Sequence, residues 1–240
     1  MEDNIIILAA GRGSRMGAIT NKIPKPLSFI NGMPAIVLLL EKISKYFPGC
    51  PVSVVVGYKK DLIISTIKKY NLEIDIKFIF NENFANDTNI FSTYLGLKDI
   101  NSNCFIFESD CFFDDSSFER ISVKDDKSYF YTIGDFNKNQ VGGIVKVIDN
   151  KIIDLKIVKN YSKDFDGYKK LIGLTKFSKS DLLTYHKLVK KYLNDSYKFY
   201  YHQPVIDSLS QFNFFHTSLE DFYSAAFNTA DELRTLNNDI

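Results

Sequence analysis

Tryptophan is missing from this 240-residue chain, and cysteine and histidine occur only three times each. Cys50, Cys104 and Cys111 form no CxxC pair and have no histidine at metal-ligand spacing, which argues against zinc and leaves disulfides unnecessary. The histidines are scattered without a carboxylate or thiol pattern, so triad chemistry has no support. An excess of charge is missing too: 30 Lys and Arg face 29 Asp and Glu. Recognition of a nucleic-acid backbone needs a basic surface, so no nucleic-acid partner is expected and any phosphate site must be local. No uncharged apolar run approaches the roughly 18 residues of a membrane span, and Glu2 and Asp3 make an acidic start unlike a secretory signal. A reduced, cytoplasmic setting without membrane contact is the expectation. Oligomeric state is open, a homodimer being compatible, and so is whether the chain is one domain of a longer protein.

What is present is enough hydrophobic material, 45% of residues, for one large α/β domain across 1–240. Asn4 to Ala9 is a run of aliphatic residues suited to a strand buried on both faces. The chain then turns through Gly11 and Gly13, which permit positive φ and close approach of backbone N–H groups to a ligand. Arg12, Arg15, Lys22 and Lys25 place positive charge around that turn. A strand opening into a glycine-rich, cationic loop suits a polyphosphate. The spacing Gly11, Gly13, Gly17 is one residue too long for the dinucleotide fingerprint, and no Gly-Lys-Ser/Thr completes a P-loop.

Further on, Pro34 to Phe47 and Lys60 to Tyr70 read as helices, and Pro51 to Val56 and Ile74 to Phe80 as strands. This β-α-β-α-β order predicts a doubly wound sheet whose ligands bind beyond the carboxyl ends of the strands, the edge on which the glycine loop lies. Asn81 to Thr88 is a polar loop leading into a helix from about Asn89 to Leu97, where Thr88 and Asn89 are either caps or ligand contacts. Cys104 to Ser109 is a fourth strand, and Asp110 at its carboxyl end is either a turn former or, beside the glycine loop, placed to hold Mg²⁺ against phosphates. Asp114 and Asp115 read as the start of a short helix.

Beyond Lys127 the pattern turns strand-rich: Ser128 to Ile133, Gly142 to Ile148 and Lys151 to Lys159, with a tight turn at Asp149-Asn150. Lys179 to Leu193 is an amphipathic helix with His186 in its apolar stripe. A short helix follows Gln203-Pro204, Phe212 to His216 is a strand, and Thr229 caps a helix over Ala230 to Leu236. Phe91, Tyr94, Phe112 and Phe113 serve either as core or as a cage for a quaternary ammonium group.

The string LAAGRGSRM, Leu8 to Met16, followed by KPL at Lys25 to Leu27, resembles the signature of nucleotidyltransferases of the nucleoside-diphosphate-sugar pyrophosphorylase type. TNIFSTYLGL, Thr88 to Leu97, resembles the bacterial choline-phosphate and aminoethylphosphonate cytidylyltransferases. The resemblance implies a Rossmann-like, GT-A-like mixed sheet, with a nucleotide half over about 1–125 and an acceptor half over about 126–240. It implies transfer of a nucleoside monophosphate, CMP from CTP by preference, to a small phosphate or phosphonate acceptor with Mg²⁺ and release of pyrophosphate, for cell-surface polysaccharide or lipid decoration. A sugar-1-phosphate uridylyl- or thymidylyltransferase and a non-catalytic nucleotide sensor are the alternatives.

By resemblance, Arg15 and Lys25 act on the phosphates at the reaction centre, and the nucleotide is held by Leu8, Ala9, Ala10, Gly11, Arg12, Gly13, Ser14, Asn81, Thr88, Asn89, Ser92 and Asp110. Asp110 and Asn228 would be the metal ligands; many relatives carry Asp where this chain has Asn228, leaving the second ligand one charge short. Lys156, Lys159 and Gly173 would meet the acceptor, although alternating lysines on a strand are also a plain solvent face.

Overall fold

The computed structural model describes residues 3–240; Met1 and Glu2, the latter part of the acidic start, lie outside the described residues. Strand β1 (Asn4–Ala9) leads through the glycine loop to a one-turn helix α1 (Ile19–Lys22), then to the short hairpin β2 (Phe29–Ile30) and β3 (Met33–Pro34). Helix α2 (Ala35–Tyr46), β4 (Val52–Val56), α3 (Lys60–Lys69), β5 (Ile76–Phe80), α4 (Ile90–Leu97) and β6 (Cys104–Glu108) complete the alternating part. After β7 (Cys111–Phe113) and α5 (Asp115–Ile121) come β8 (Ser128–Asp135), β9 (Gly142–Ile148), β10 (Lys151–Val158) and β11 (Tyr168–Phe177). The chain ends with α6 (Lys179–Asp195), α7 (Gln203–Ile206), β12 (Phe214–Ser218), β13 (Ser224–Ala226) and α8 (Ala230–Asp239). Among the described residues no helix is long and apolar enough to cross a membrane.

Nine strands form one mixed sheet in the order β5-β4-β1-β6-β11-β8-β12-β10-β9. β1 pairs in parallel with β4 on one side and with β6 on the other, so the chain direction of sheet growth reverses at β1. This is the switch point at which open α/β sheets bind ligands. The doubly wound pattern ends there, because β11 lies antiparallel to β6, β8 and β9. Strand β1 is buried on both faces as its composition requires: Ile5, Ile7 and Ala9 join one core with α2 and α3, and Ile6, Leu8 and Ala10 join the other with α4 and α6. The Asp149-Asn150 turn has both residues at positive φ, the geometry of a tight hairpin between β9 and β10.

A third, smaller core packs Phe227 and Leu236 of the carboxyl-terminal segment against Met16, Ile30 and Ala35. Asn237 fastens it, its carboxamide oxygen accepting from Asn31 N at 2.8 Å and its NH₂ donating to Phe29 O at 3.1 Å. The last helix is therefore tied to the β2–β3 hairpin, over 200 residues away in sequence.

The main sheet also buries one lysine completely. Lys176 on β11 donates to the Asp125 carboxylate and carbonyl, both at 2.8 Å, with its side chain 0% exposed and that of Asp125 28% exposed. The asymmetry generates a prediction. Asp125→Ala leaves a buried charge without its carboxylate and is expected to cost about 3–5 kcal/mol in urea unfolding. Lys176→Met leaves a carboxylate that water reaches and is expected to fall within about 1 kcal/mol of the native chain. Equal losses would contradict the assignment.

Candidate active site

The glycine loop is shaped around a lysine. Gly13 sits at φ 72° and begins a single 3-10 turn over Ser14–Met16. A Cβ on Gly13 would lie 2.6 Å from Lys25 Cβ, so only glycine lets the Lys25 side chain pass. Of the two glycines that permit positive φ, only Gly13 adopts it; Gly11 is exposed, with nothing within 4 Å of the position a Cβ would take. Lys25, within the KPL turn, is buried and points its ammonium between Asp110 and Asn228. It forms an ion pair with Asp110 and donates to the Asn228 carboxamide oxygen at 3.1 Å.

Asp110 and Asn228 reach this point through a two-stranded ribbon. β7, directly after Asp110, pairs antiparallel with β13, directly before Phe227, and Phe227 N donates to Asp110 O at 3.1 Å. Asn228 is then fixed by the capping box of α8: Thr229 Oγ1 accepts from Glu232 N, and the Glu232 carboxylate accepts from the backbone N–H groups of Asn228 and Thr229. Glu232, in the first turn of α8, thus holds the backbone of the second ligand candidate. The Phe227 ring lies 5.5 Å from the Lys25 ammonium.

A cleft of about 190 Å³ opens here, lined by Leu8, Ala10, Gly11, Gly13, Arg15, Lys25, Thr88, Asn89, Ser92 and Asp110 among the predicted residues. Phe84, Asp87, Glu108 and Tyr200 line it too and were not singled out from sequence. A larger cavity, about 900 Å³, lies at the other end of the parallel strands against Asn4, Pro51 and Ile100, away from every motif. The small cleft is where the chemistry-bearing side chains converge.

Several predicted contacts have different occupations. Ala9 is buried in the core, and Arg12 turns outward to Asn21, 2.7 Å away, and over the Tyr58 ring. Ser14 is exposed and does not line the cleft. Asn81 is fully buried, and its NH₂ donates to Asp87 and Ser92 at 2.9 Å each. It braces the loop instead of facing the cleft. The residue that caps α4 is Asp87, whose carboxylate accepts from the N–H groups of Phe91 and Ser92 and from the Ser92 hydroxyl. Asn89 stands at the cap position, but its Oδ1 accepts from Tyr201 N at 2.8 Å, bringing the 197–202 segment against the cleft.

On the acceptor side, Lys156 is engaged by Asp154 and the Tyr168 hydroxyl, and Lys159 is exposed beyond the end of β10; neither lines the cleft. Gly173 does touch the site wall, because a Cβ there would fall 2.7 Å from Glu108 Cβ. Of the aromatic residues, Phe113 packs edge-on to Phe107 and Phe118, Phe112 meets Tyr223, and Phe91 stacks on Tyr197 at 4.5 Å.

The electrostatics are those of a desolvated acidic edge. Burial, reinforced by Asp110, pushes Glu108 up to about 7, against the opposing charges of Lys25, Lys170 and Arg15. Burial also raises the thiols of Cys104 and Cys111 well above their ordinary range, which leaves both as packing groups and not nucleophiles. Burial and then the Lys170 charge push His202 down to about 3. His186, predicted as packed, is half-buried with its Nε2 unpartnered, and its pKa is lowered by desolvation.

A family model described as Nucleotidyl transferase matches residues 4–153, more than half the chain. The protein belongs to the nucleotidyl transferase family. It is 28% identical over 197 residues to 2-aminoethylphosphonate cytidylyltransferase of Lancefieldella rimae, covering 81% of this chain and 73% of that protein. It is 30% identical over 152 residues to the bifunctional protein GlmU of Methanococcus aeolicus, and 30% identical over 105 residues to choline-phosphate cytidylyltransferase of Streptococcus pneumoniae. Those two matches cover 63% and 44% of this chain but only 35% and 43% of the relatives. In fold, the chain matches the CTP:phosphocholine cytidylyltransferase of Streptococcus pneumoniae with a TM-score of 0.84 at 20% identity, covering 100% of this chain and 99% of that one. A putative glucose-1-phosphate thymidylyltransferase of Bacillus anthracis follows at 0.79 and 14%, covering 98% and 94%. The α/β nucleotidyltransferase fold expected from the motifs is the fold observed.

His202 yields a pH prediction. The ring is neutral in the folded state down to about 3 but protonates near its ordinary 6.5 once unfolded. Between these values the unfolded chain binds more protons, so stability falls as pH drops from 6.5 toward 3. His202→Phe is expected to flatten that part of the curve of urea midpoint against pH, and an unchanged slope would contradict the buried neutral ring.

Proposed function

We propose that the chain is a Mg²⁺-dependent cytidylyltransferase that joins CMP from CTP to a small phosphate or phosphonate acceptor. The observation that carries it is the convergence of Lys25, Asp110 and Asn228 at the carboxyl ends of β1 and β6, beside the glycine loop. Similarity to the aminoethylphosphonate and choline-phosphate cytidylyltransferases supports CTP and that acceptor class. In the reaction an acceptor oxygen forms a bond to the α-phosphorus as the bond from that phosphorus to the bridging oxygen breaks. Pyrophosphate leaves with that electron pair. The attacking oxygen is already ionised, so no general base is required.

The backbone from Ala10 to Gly13 is assigned to the nucleotide, as the exposed, side-chain-free path past Gly11 supports. Arg15 and Lys25 neutralise charge that builds on the phosphates. Ser92 and Thr88 lie along the same wall for the base and ribose. Alignment of two anions, with their repulsion cancelled, is the main contribution asked of the protein.

The donors at Asp110 and Asn228 fit a hard cation. Both are oxygens, and both already face a cation, the Lys25 ammonium. Among the described residues no group of three or more His, Cys, Asp or Glu side chains could hold a metal, so further ligands would be phosphate oxygens and water. Bound there, Mg²⁺ would screen the triphosphate and polarise the reacting phosphoryl group.

Pyrophosphate release with Mg²⁺ should appear with CTP and a member of the panel phosphocholine, aminoethylphosphonate and phosphoethanolamine. Turnover only with a hexose 1-phosphate and UTP or dTTP would replace the acceptor and nucleotide. Lys25→Met is expected to lower kcat by about 10²–10³. Asn228→Asp is expected to reach half-maximal rate at less Mg²⁺; activity in that variant alone, with none in the native chain, would make the native protein a nucleotide binder.

A further inference from the structure

We infer that Tyr58 and Lys59, on the turn after β4, are positioning residues for the nucleotide: they fix the stretch between Gly17 and Lys25, so that Arg15 and Lys25 stand ready for the phosphates. This rests on the transfer reaction proposed above, and neither residue lines the cleft. The loop's own sequence creates the need for them. Helix α1 is a single turn over Ile19–Lys22 with no side-chain cap at its start, too short to hold itself in water. In a longer helix the carbonyls of Thr20, Asn21 and Lys22 would be met by the backbone nitrogens four residues on, those of Pro24, Lys25 and Pro26. Two of these are prolines and have no N–H. The turn that carries Lys25 into the cleft therefore leaves carbonyls of α1 without helical partners.

All three carbonyls are met from the turn after β4. The Tyr58 hydroxyl donates to Thr20 O at 3.0 Å, and the Lys59 ammonium donates to Asn21 O and Lys22 O, both at 2.7 Å. A cation at the carboxyl end of a helix also suits its dipole. The same turn reaches the other end of the loop, where Tyr58 N donates to Ala10 O at 2.9 Å. Arg12 closes the frame from within the loop, donating to the Asn21 side chain at 2.7 Å and lying 5.6 Å from the centre of the Tyr58 ring. Lys59 holds its place at φ 50°, a left-handed backbone that a lysine adopts only at a cost. Lys22 stands three residues before Lys25 with the rigid Pro24 between them, so fixing the Lys22 carbonyl fixes the approach of Lys25.

A loop held in its binding conformation spares the nucleotide the cost of ordering it. Lys59→Met is therefore expected to weaken calorimetric binding of a non-hydrolysable CTP analogue with Mg²⁺ by about tenfold, and KM for CTP should rise by more than kcat falls. Tyr58→Phe, which loses one carbonyl contact, should weaken binding by about threefold, and Lys59→Arg, which keeps the charge, should recover most of the affinity. Without nucleotide, trypsin should cut after Arg12, Arg15 or Lys22 faster in Lys59→Met than in the native chain, and the analogue should restore protection. Two other uses of Lys59 give different results. A lysine that only stabilises α1 would lower the urea midpoint and leave affinity for the analogue unchanged. A lysine that itself reaches the phosphates would leave Tyr58→Phe with native affinity, and Lys59→Met without nucleotide as resistant to trypsin as the native chain. Either pattern overturns the assignment, as does a native chain that binds no analogue. The transfer reaction fails separately, if the analogue binds in a Lys59-dependent way but no acceptor yields pyrophosphate.

Discussion

The site depends on one buried ammonium. Lys25 is held by Asp110 from the end of β6 and by Asn228 from the start of the last helix, and it passes the glycine loop where Gly13 has no side chain to block it. Three distant stretches of sequence are thereby required to meet at one point. Much of the surrounding architecture serves that meeting: the β7–β13 ribbon aligns Asp110 with Phe227, the capping box fixes Asn228, and Asn237 ties the helix to the loop before Met33. A cation between two oxygen donors also explains how an acidic edge survives burial with no ligand bound, for unpaired carboxylates there would carry a large desolvation cost.

The division of labour across the sheet follows from strand direction. Parallel strands deliver loops to one edge, and β1 and β6 bring the glycine loop and Asp110 there. The antiparallel strands that follow do not extend this edge. β11 pairs with both β6 and β9 and so joins the two parts of the sheet.

What was legible in the sequence was local. The apolar runs of β1, β4 and β6, the amphipathic helices, the Asp149-Asn150 turn and the Thr229 cap all declare themselves within a few residues of the chain. Asp110 was legible because a strand end and a phosphate loop fall on the same edge in any doubly wound sheet. Residues chosen by tertiary contact were not. Asn81 and Asn89 carry the amides expected of ligand contacts, but the fold spends them on Asp87, Ser92 and Tyr201. Lys156 was visible as one of an alternating pair, yet its charge is answered by Asp154, two residues away. Lys170 differs in having, among the described residues, only carbonyl partners, which no local pattern reveals. Glu108 lay hidden inside an apolar strand, and its significance comes from burial beside Asp110.

The most direct test of the central claim is a crystal structure with Mg²⁺ and a non-hydrolysable CTP analogue. Asp110 and Asn228 should both lie about 2.0–2.1 Å from one Mg²⁺, the ordinary distance for that ion. The Lys25 ammonium should have moved from between them onto a phosphate oxygen. A metal bound without Asp110, or a Lys25 that keeps both partners while the nucleotide is in place, would contradict the roles assigned to all three residues.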